Sequence, residues 1–309
     1  MSEKNLGIIT LLAVLGTALI GMTACTDASQ AAPPASSGSA SFSPTSVSKD
    51  DALAAQVPDA IKSKGTLIIG SDTTYAPAES LGGSDGQTPV GYDVDLAKAI
   101  ATTLGLKGVI QTAPFANILP SLGPKYDLGI SSFYITKERS KAVNFVSYFQ
   151  SGTQWAVQKG NPKNISLEDL CGKSVGVQTG TFQENPDISG RNAKCKADGK
   201  APINVVSLQN QTDVTTRLVA GGVDAMAAGS VVVSYAISQT NGQLQDLGTM
   251  YGASPVGIAV PKDDVPLADL VAKAVNKLIS EGSYRKILDQ WGNGAGAIQE
   301  AEVNPTVNK

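Results

Sequence analysis

Apolar and polar positions along this chain follow two regimes, and the change between them comes early. After Lys4 the residues Leu6 to Met22 carry no charge and are broken by Gly7, Gly16 and Gly21, and the run closes on Met22, Thr23, Ala24 and Cys25. A basic start, a short apolar stretch and small residues before a cysteine describe an export signal of the lipoprotein type, so residues 1–24 read as a signal peptide and Cys25 as the residue that receives the lipid. The alternative is a transmembrane helix, but the run sits at the short end of the ~17–25 residues that a span needs. Ala, Pro, Ser, Gly and Thr then dominate through about Ser48, with Phe42 as the large apolar exception. Residues 25–63 therefore read as a lipidated cysteine and a flexible tether that has too little apolar surface to offset its ordering entropy.

From Lys64 the pattern alternates short β-branched runs with helical spacing. Thr66 to Gly70 and Tyr126 to Ser131 read as strands, and Asp93 to Leu104 places Ala97, Ile100, Ala101 and Leu104 on one helical face. The same grammar returns in the second half. Ser174 to Val177, Ile203 to Leu208 and Asp224 to Ala228 read as strands, with helices opening near Thr181 and running over Gln211 to Ala220 and Ser230 to Ser238. A last long helix, Pro266 to Ile279, carries seven apolar residues on its inner face. Two such units predict two α/β domains. Asp93 and Asp95 resemble a paired-carboxylate site, but their place at a helix start favours Asp93 as its cap and Asp95 as a charge near its positive end.

Composition narrows the chemistry. The 309 residues include no histidine, which excludes a Ser-His-Asp triad, a Cys-His pair and an imidazole metal site; no metal and no cofactor are expected. A net charge of −3 with no basic run gives no footprint for nucleic acid. Of three cysteines, lipidation of Cys25 leaves Cys171 and Cys195. In an oxidising compartment these are expected to form a disulfide, worth about 2–4 kcal/mol on the chain-entropy view. Two buried free thiols are the alternative.

Five segments taken together carry a family resemblance: GTLIIGSDTTYAP (65–77), GYDVDLAKAI (91–100), YDLGISSFYITKERSKAVNFVSYF (126–149), GKSVGVQTGT (172–181) and SPVGIAVPKDD (254–264). In this order they resemble the family 3 extracellular solute-binding proteins, the polar amino-acid receptors of ABC importers. The resemblance implies a type II periplasmic-binding-protein clamp, each lobe a sheet flanked by helices and the two joined by hinge strands. Lobe 1 would comprise residues 64–152 and 254–292, lobe 2 residues 153–253, and residues 293–309 a polar tail. It further implies a monomer that presents its closed form to ABC permease subunits at the outer face of the membrane. A dehydratase of the cyclohexadienyl type and a receptor subunit for a sensor are the alternatives.

Carried over residue by residue, the resemblance places Arg139 where the ligand's α-carboxylate is gripped, with Ser131 and Ser132 on the same lobe. A guanidinium fork matches a carboxylate bidentately. Thr181, from the other lobe, would complete the cage at a helix N-terminus. Gly229 stands where many members carry an Asp facing the ligand's ammonium, and Glu79 is the candidate to replace it. Ala78 stands where many relatives have Phe, so an aromatic wall would come from Tyr75 and Tyr134.

Overall fold

The computed structural model describes residues 41–307. The signal peptide, Cys25 and the tether up to residue 40 lie outside the described residues. Among those described, no helix is long and apolar enough to cross a membrane.

The chain opens with two short helices, α1 (Asp51–Ala55) and α2 (Asp59–Lys64), before β1 (Thr66–Ser71). A small hairpin sheet follows, β2 (Thr74–Tyr75), β3 (Glu79–Gly82) and β4 (Thr88–Val90), and then α3 (Tyr92–Thr103), β5 (Lys107–Thr112) and α4 (Phe115–Ile118). Next come β6 (Leu128–Tyr134), the single turn α5 (Arg139–Ala142) and the long strand β7 (Val143–Gln158). The second unit holds β8 (Ser174–Gln178), α6 (Ser189–Ala197), β9 (Asn204–Leu208), α7 (Gln211–Val219), β10 (Ala225–Gly229) and α8 (Ser230–Gln239). A second long strand, β11 (Leu244–Pro261), returns to the first unit and leads into α9 (Val265–Ser280) and α10 (Ser283–Gln290).

The large sheet has the order β5-β1-β6-β11-β7-β10-β8-β9. β1 is parallel to β5 and β6, and β8 is parallel to β9 and β10, so each lobe is an α/β unit; β7 and β11 pair antiparallel through both. Their register shifts between Leu247 and Tyr251, between Tyr251 and Ser254 and between Val256 and Gly257, which places the irregularities where the strands pass from one lobe to the other. The architecture is the expected two-lobed clamp, with one difference: a single sheet runs through both lobes. Lobe 1 buries its core between the sheet and α3, α9 and α10, where Leu67, Ile69, Leu96, Ile100, Val271 and Leu278 are fully enclosed. Lobe 2 buries Trp155, Val175, Val177 and Ile188 on one face and Val214, Leu218 and Met226 on the other.

Both ends of the described residues depart from the expected loose segments. Residues 41–63 are not a tether: Val57 and Ile61 are buried in the lobe 1 core, Phe42, Val47 and Leu53 pack against it, and Asp50 N–H donates to Thr103 O at 2.8 Å. Burying a side chain such as Ile61 stabilises by about 1.5–3 kcal/mol, enough to hold so short a helix in place. The tail is likewise fixed. Phe145 N–H donates to Asn304 Oδ1 at 2.9 Å, Asn304 N–H donates to Phe145 O at 2.7 Å, and Ala301 is buried. Cys171 and Cys195 form the expected disulfide, which ties the loop before β8 to α6.

Asp93 does not cap α3. The N-cap is Gly91, which makes no side-chain cap, while Asp93 is turned into the core and bonded there; Asp95 lies in the first turn and accepts from Gln290 and Trp291 at 2.8 Å each. Gly91 has φ +132°, and a Cβ built on it would lie 2.0 Å from Ala78 O. Gly91→Ala is therefore expected to destabilise the protein by about 3 kcal/mol or more, measured by chemical denaturation, because the atoms that the Cβ would meet, Ala78 O and C and Glu79 N, are all backbone and cannot yield cheaply.

Candidate functional site

The lobes meet along the ends of their parallel strands, the face where open α/β sheets receive ligands. The chain leaves β6 at Tyr134 and turns back through α5, which brings Arg139 under this face. Its Nη1 donates to Tyr134 O at 2.9 Å and its Nη2 crosses to Gly180 O in lobe 2 at 3.0 Å. The guanidinium also lies 5.4 Å from the Phe115 ring centre and 5.8 Å from that of Phe133. Desolvation lowers its pKa to about 10, so it stays charged at neutral pH. Among the described residues no carboxylate forms an ion pair with it.

A small cavity of about 10 Å³ opens beside Arg139, lined also by Tyr75, Phe115, Ser132, Tyr134, Thr181, Phe182 and Gln183. The structure thus brings together five of the expected residues: Arg139, Thr181, Ser132, Tyr75 and Tyr134. Each is held by a specific bond. Tyr134 donates its hydroxyl to Gly152 O at 2.7 Å, and burial pushes its phenol up to about 12. Tyr75 accepts the Gly229 N–H at 2.9 Å, so the phenol oxygen lies against the position from which a side chain at residue 229 would start.

Ser131 and Glu79 do not line this cavity. Ser131 Oγ accepts from Asp72 N–H at 3.0 Å and donates to Glu79 Oε1 at 2.7 Å, and both side chains are buried behind the cleft wall. Glu79 is therefore not the exposed loop carboxylate that the surrounding YAPAES suggests, and its place in the lobe 1 interior removes it from facing a ligand's ammonium. Burial raises its pKa well above the usual carboxylate value, with the neighbouring Asp93 as the next cause.

Thr181 lines the cavity but not as a free helix N-terminus. Its hydroxyl donates to Gln178 O at 2.7 Å, the Gly180 N–H is taken by the Glu184 carboxylate at 2.6 Å, and the turn that follows, Gln183–Ile188, is irregular with Asn185 outside helical geometry. The residues before Pro186 leave no regular first turn for an anion to sit on.

Five further residues shape the site and escaped the sequence reading. Phe115 and Phe182 form apolar walls, and Gln183 donates to Thr153 at 3.0 Å. Asp72 is buried between the lobes: Oδ2 accepts from Phe115 N–H at 3.0 Å and from Gln178 Nε2 of lobe 2 at 2.7 Å. Its signal was a carboxylate one residue beyond a wholly buried strand end, in SDTTY. Thr74 Oγ1, next to it, accepts the Gln211 N–H at 3.1 Å and adds another contact across the cleft.

A two-lobed α/β clamp whose facing strand ends carry a charged arginine, aromatic walls and interlobe hydrogen bonds defines a solute-binding protein of the type II periplasmic class. The comparisons agree. Residues 67–294 match the model of the bacterial extracellular solute-binding proteins, family 3, and the chain belongs to that family. It is 36% identical over 253 residues to the arginine-binding protein ArgT of Corynebacterium glutamicum, covering 82% of each chain. Among solved structures it is similar to an ancestral arginine-binding protein bound to arginine, at 35% identity and a TM-score of 0.66, over 74% of this chain and 98% of that one. An ancestral amino acid-binding protein described as a precursor of cyclohexadienyl dehydratase is similar at 30% identity and a TM-score of 0.65, over 75% and 98%.

Tyr75→Phe removes the acceptor of the Gly229 N–H and with it one contact across the cleft. It is expected to weaken closure by about 1 kcal/mol. Solution scattering of the unliganded protein checks this, with a larger radius of gyration for the variant than for the wild type.

Proposed function

We propose that this protein captures a basic amino acid, arginine foremost, outside the cytoplasm and delivers it to the permease subunits of an ABC importer, while a lipid on Cys25 holds it to the membrane. The observation that carries the reading is Arg139: a partly buried guanidinium, charged at neutral pH and paired with no carboxylate of the described residues, that faces the interlobe cavity. A charge kept dry in this way is costly until an anion joins it, so the ligand carries a carboxylate. Asp72 supplies the opposite end. It is an acceptor that now holds Gln178 across the cleft, and a ligand guanidinium entering there replaces a neutral donor by a charged one. Phe115, Tyr75 and Tyr134 provide faces for the aliphatic and guanidinium parts in between. The relatives whose names record arginine support this choice of ligand.

The cavity of about 10 Å³ holds roughly one water, so an amino acid enters only when the lobes part at β7 and β11 and is then enclosed by their return. The dehydratase alternative would use Glu79 as its acid, and Glu79 stands behind the cleft wall. A role as a sensor's receptor would use the same clamp and is distinguished by its membrane partner.

Calorimetry of L-arginine binding tests the site. Arg139→Ala should lose about 2–5 kcal/mol, and Asp72→Asn should lose affinity for arginine while affecting neutral amino acids less. Equal affinity of wild type and Arg139→Ala would refute the carboxylate assignment. For the anchor, labelling with radioactive palmitate should mark the wild type and not Cys25→Ser.

A further inference from the structure

Behind the cleft wall, two carboxyl groups share the interior of lobe 1. Glu79 from β3 and Asp93 from α3 expose no surface and lie beside one another: the Asp93 N–H donates to Ala78 O at 3.0 Å, and the adjacent residues Ser131 and Ser132 of β6 bind one carboxyl each. Their surroundings are unequal. Asp93 is rich in donors: Oδ1 accepts from the Tyr148 hydroxyl at 2.6 Å, and Oδ2 accepts the N–H and the hydroxyl of Ser132 at 2.8 and 3.0 Å. Glu79 is poor in them, since Oε1 accepts from Ser131 while the enclosed Oε2 meets no hydrogen-bond donor. A hydrogen bond between two carboxyls requires a proton on one, and it stays on the group with fewer donors because donors stabilise the anion. The other titratable groups facing the pair are Asp72, Tyr75, Tyr92 and Tyr148, none of them a cation. Among the described residues neither carboxyl forms an ion pair with a lysine or arginine.

We propose that Glu79 is a protonated carboxylic acid that donates to an ionised Asp93, and that this one-proton bridge positions Ser132 in the wall of the ligand cleft and Ser131 behind it. Ser132 sits at φ +48°, a conformation that a serine keeps only when its surroundings hold it, and here both its donors end on Asp93. Ser131 relays the other end, since its hydroxyl links Glu79 to the backbone of Asp72. Glu79 and Asp93 are thus positioning residues that act on the cleft through the two serines. The part of the proposal that concerns binding rests on the arginine reading, whereas the shared proton stands apart from any ligand.

The sign of the pH dependence follows from the raised pKa of Glu79. Above the ordinary value of 4.5 the unfolded chain releases this proton while the folded protein keeps it. Stability therefore declines as pH rises from there toward the folded pKa, by up to about tenfold in the folding constant per pH unit. Glu79→Gln keeps the shape and carries a permanent N–H donor, so it should remove one proton's worth of that slope. Denaturant titrations of the full chain across this range should show a steeper decline for the wild type than for Glu79→Gln. Infrared spectra at neutral pH should show a deuterium-sensitive protonated-carboxyl band in the wild type that the variant lacks. With L-arginine as probe, Glu79→Ala should weaken binding about tenfold and Glu79→Gln should restore most of the loss. Parallel pH slopes, or a wild-type spectrum without any protonated carboxyl, would overturn the shared proton, and the spectrum needs no variant to fold. Equal weakening by Ala and Gln would overturn the positioning role. If the wild type does not bind arginine at all, the ligand reading fails, and the stability and infrared results still decide the proton.

Discussion

Every other part of this molecule hangs on the antiparallel pairing of β7 and β11. The two strands stay hydrogen-bonded from Val143 opposite Pro261 in lobe 1 to Gln158 opposite Leu244 in lobe 2. Because they are the middle of one sheet, β6 extends it on one side and β10 on the other, so both parallel sheets inherit their orientation from a single ladder. The irregular register between Leu247 and Gly257 lets the ladder bend without parting. It is also what aims the ends of β6 and β10 at each other, and hence Arg139 at Gly180 and Tyr75 at Gly229.

On that frame the cleft is built around charges that the protein leaves incompletely answered on its surface and settles in its interior. Arg139 is held by carbonyl oxygens and aromatic faces, which fix its direction without neutralising it. Asp72 is fixed by backbone and side-chain donors from both lobes. Both groups are held partly by bonds made across the cleft, so parting the lobes would release Gly180 from Arg139 and Gln178 from Asp72.

How much of this was legible depended on the kind of signal. The α/β alternation was legible because buried strands and amphipathic helices have periods that composition does not hide: α7, α8 and α9 begin and end within a residue or two of where the pattern puts them. Arg139, Ser132, Thr181 and the two tyrosines came from ordered motifs, and they do converge. Burial of single polar residues was not legible. Glu79 lies among Ala, Pro and Ser, as a surface loop would, and the partner that meets it inside, Ser131 of β6, is distant in sequence. Asp93 stands at a helix start, so capping was the local reading, and only the packing of Tyr148 and Ser132 turns it inward. In the segment before Lys64, Val57 lies in the bend between α1 and α2 and Ile61 in α2, so no single helical period marks their shared burial beside the Ser- and Pro-rich stretch that precedes them.

Both ends of the described chain are secured to the same lobe. At the start, Asp50 is paired with Lys277 of α9 and Gln56 accepts from Lys273; at the end, residues 301–304 are bonded along β7 and to Asn276 of α9. A mechanical load applied at either terminus is therefore carried through lobe 1 and does not pass through the bend in β7 and β11. Lobe 1 thus holds both described ends, and the chain reaches lobe 2 only through the long strands β7 and β11. Tension on the described ends therefore loads lobe 1 and leaves the hydrogen bonds across the cleft unloaded.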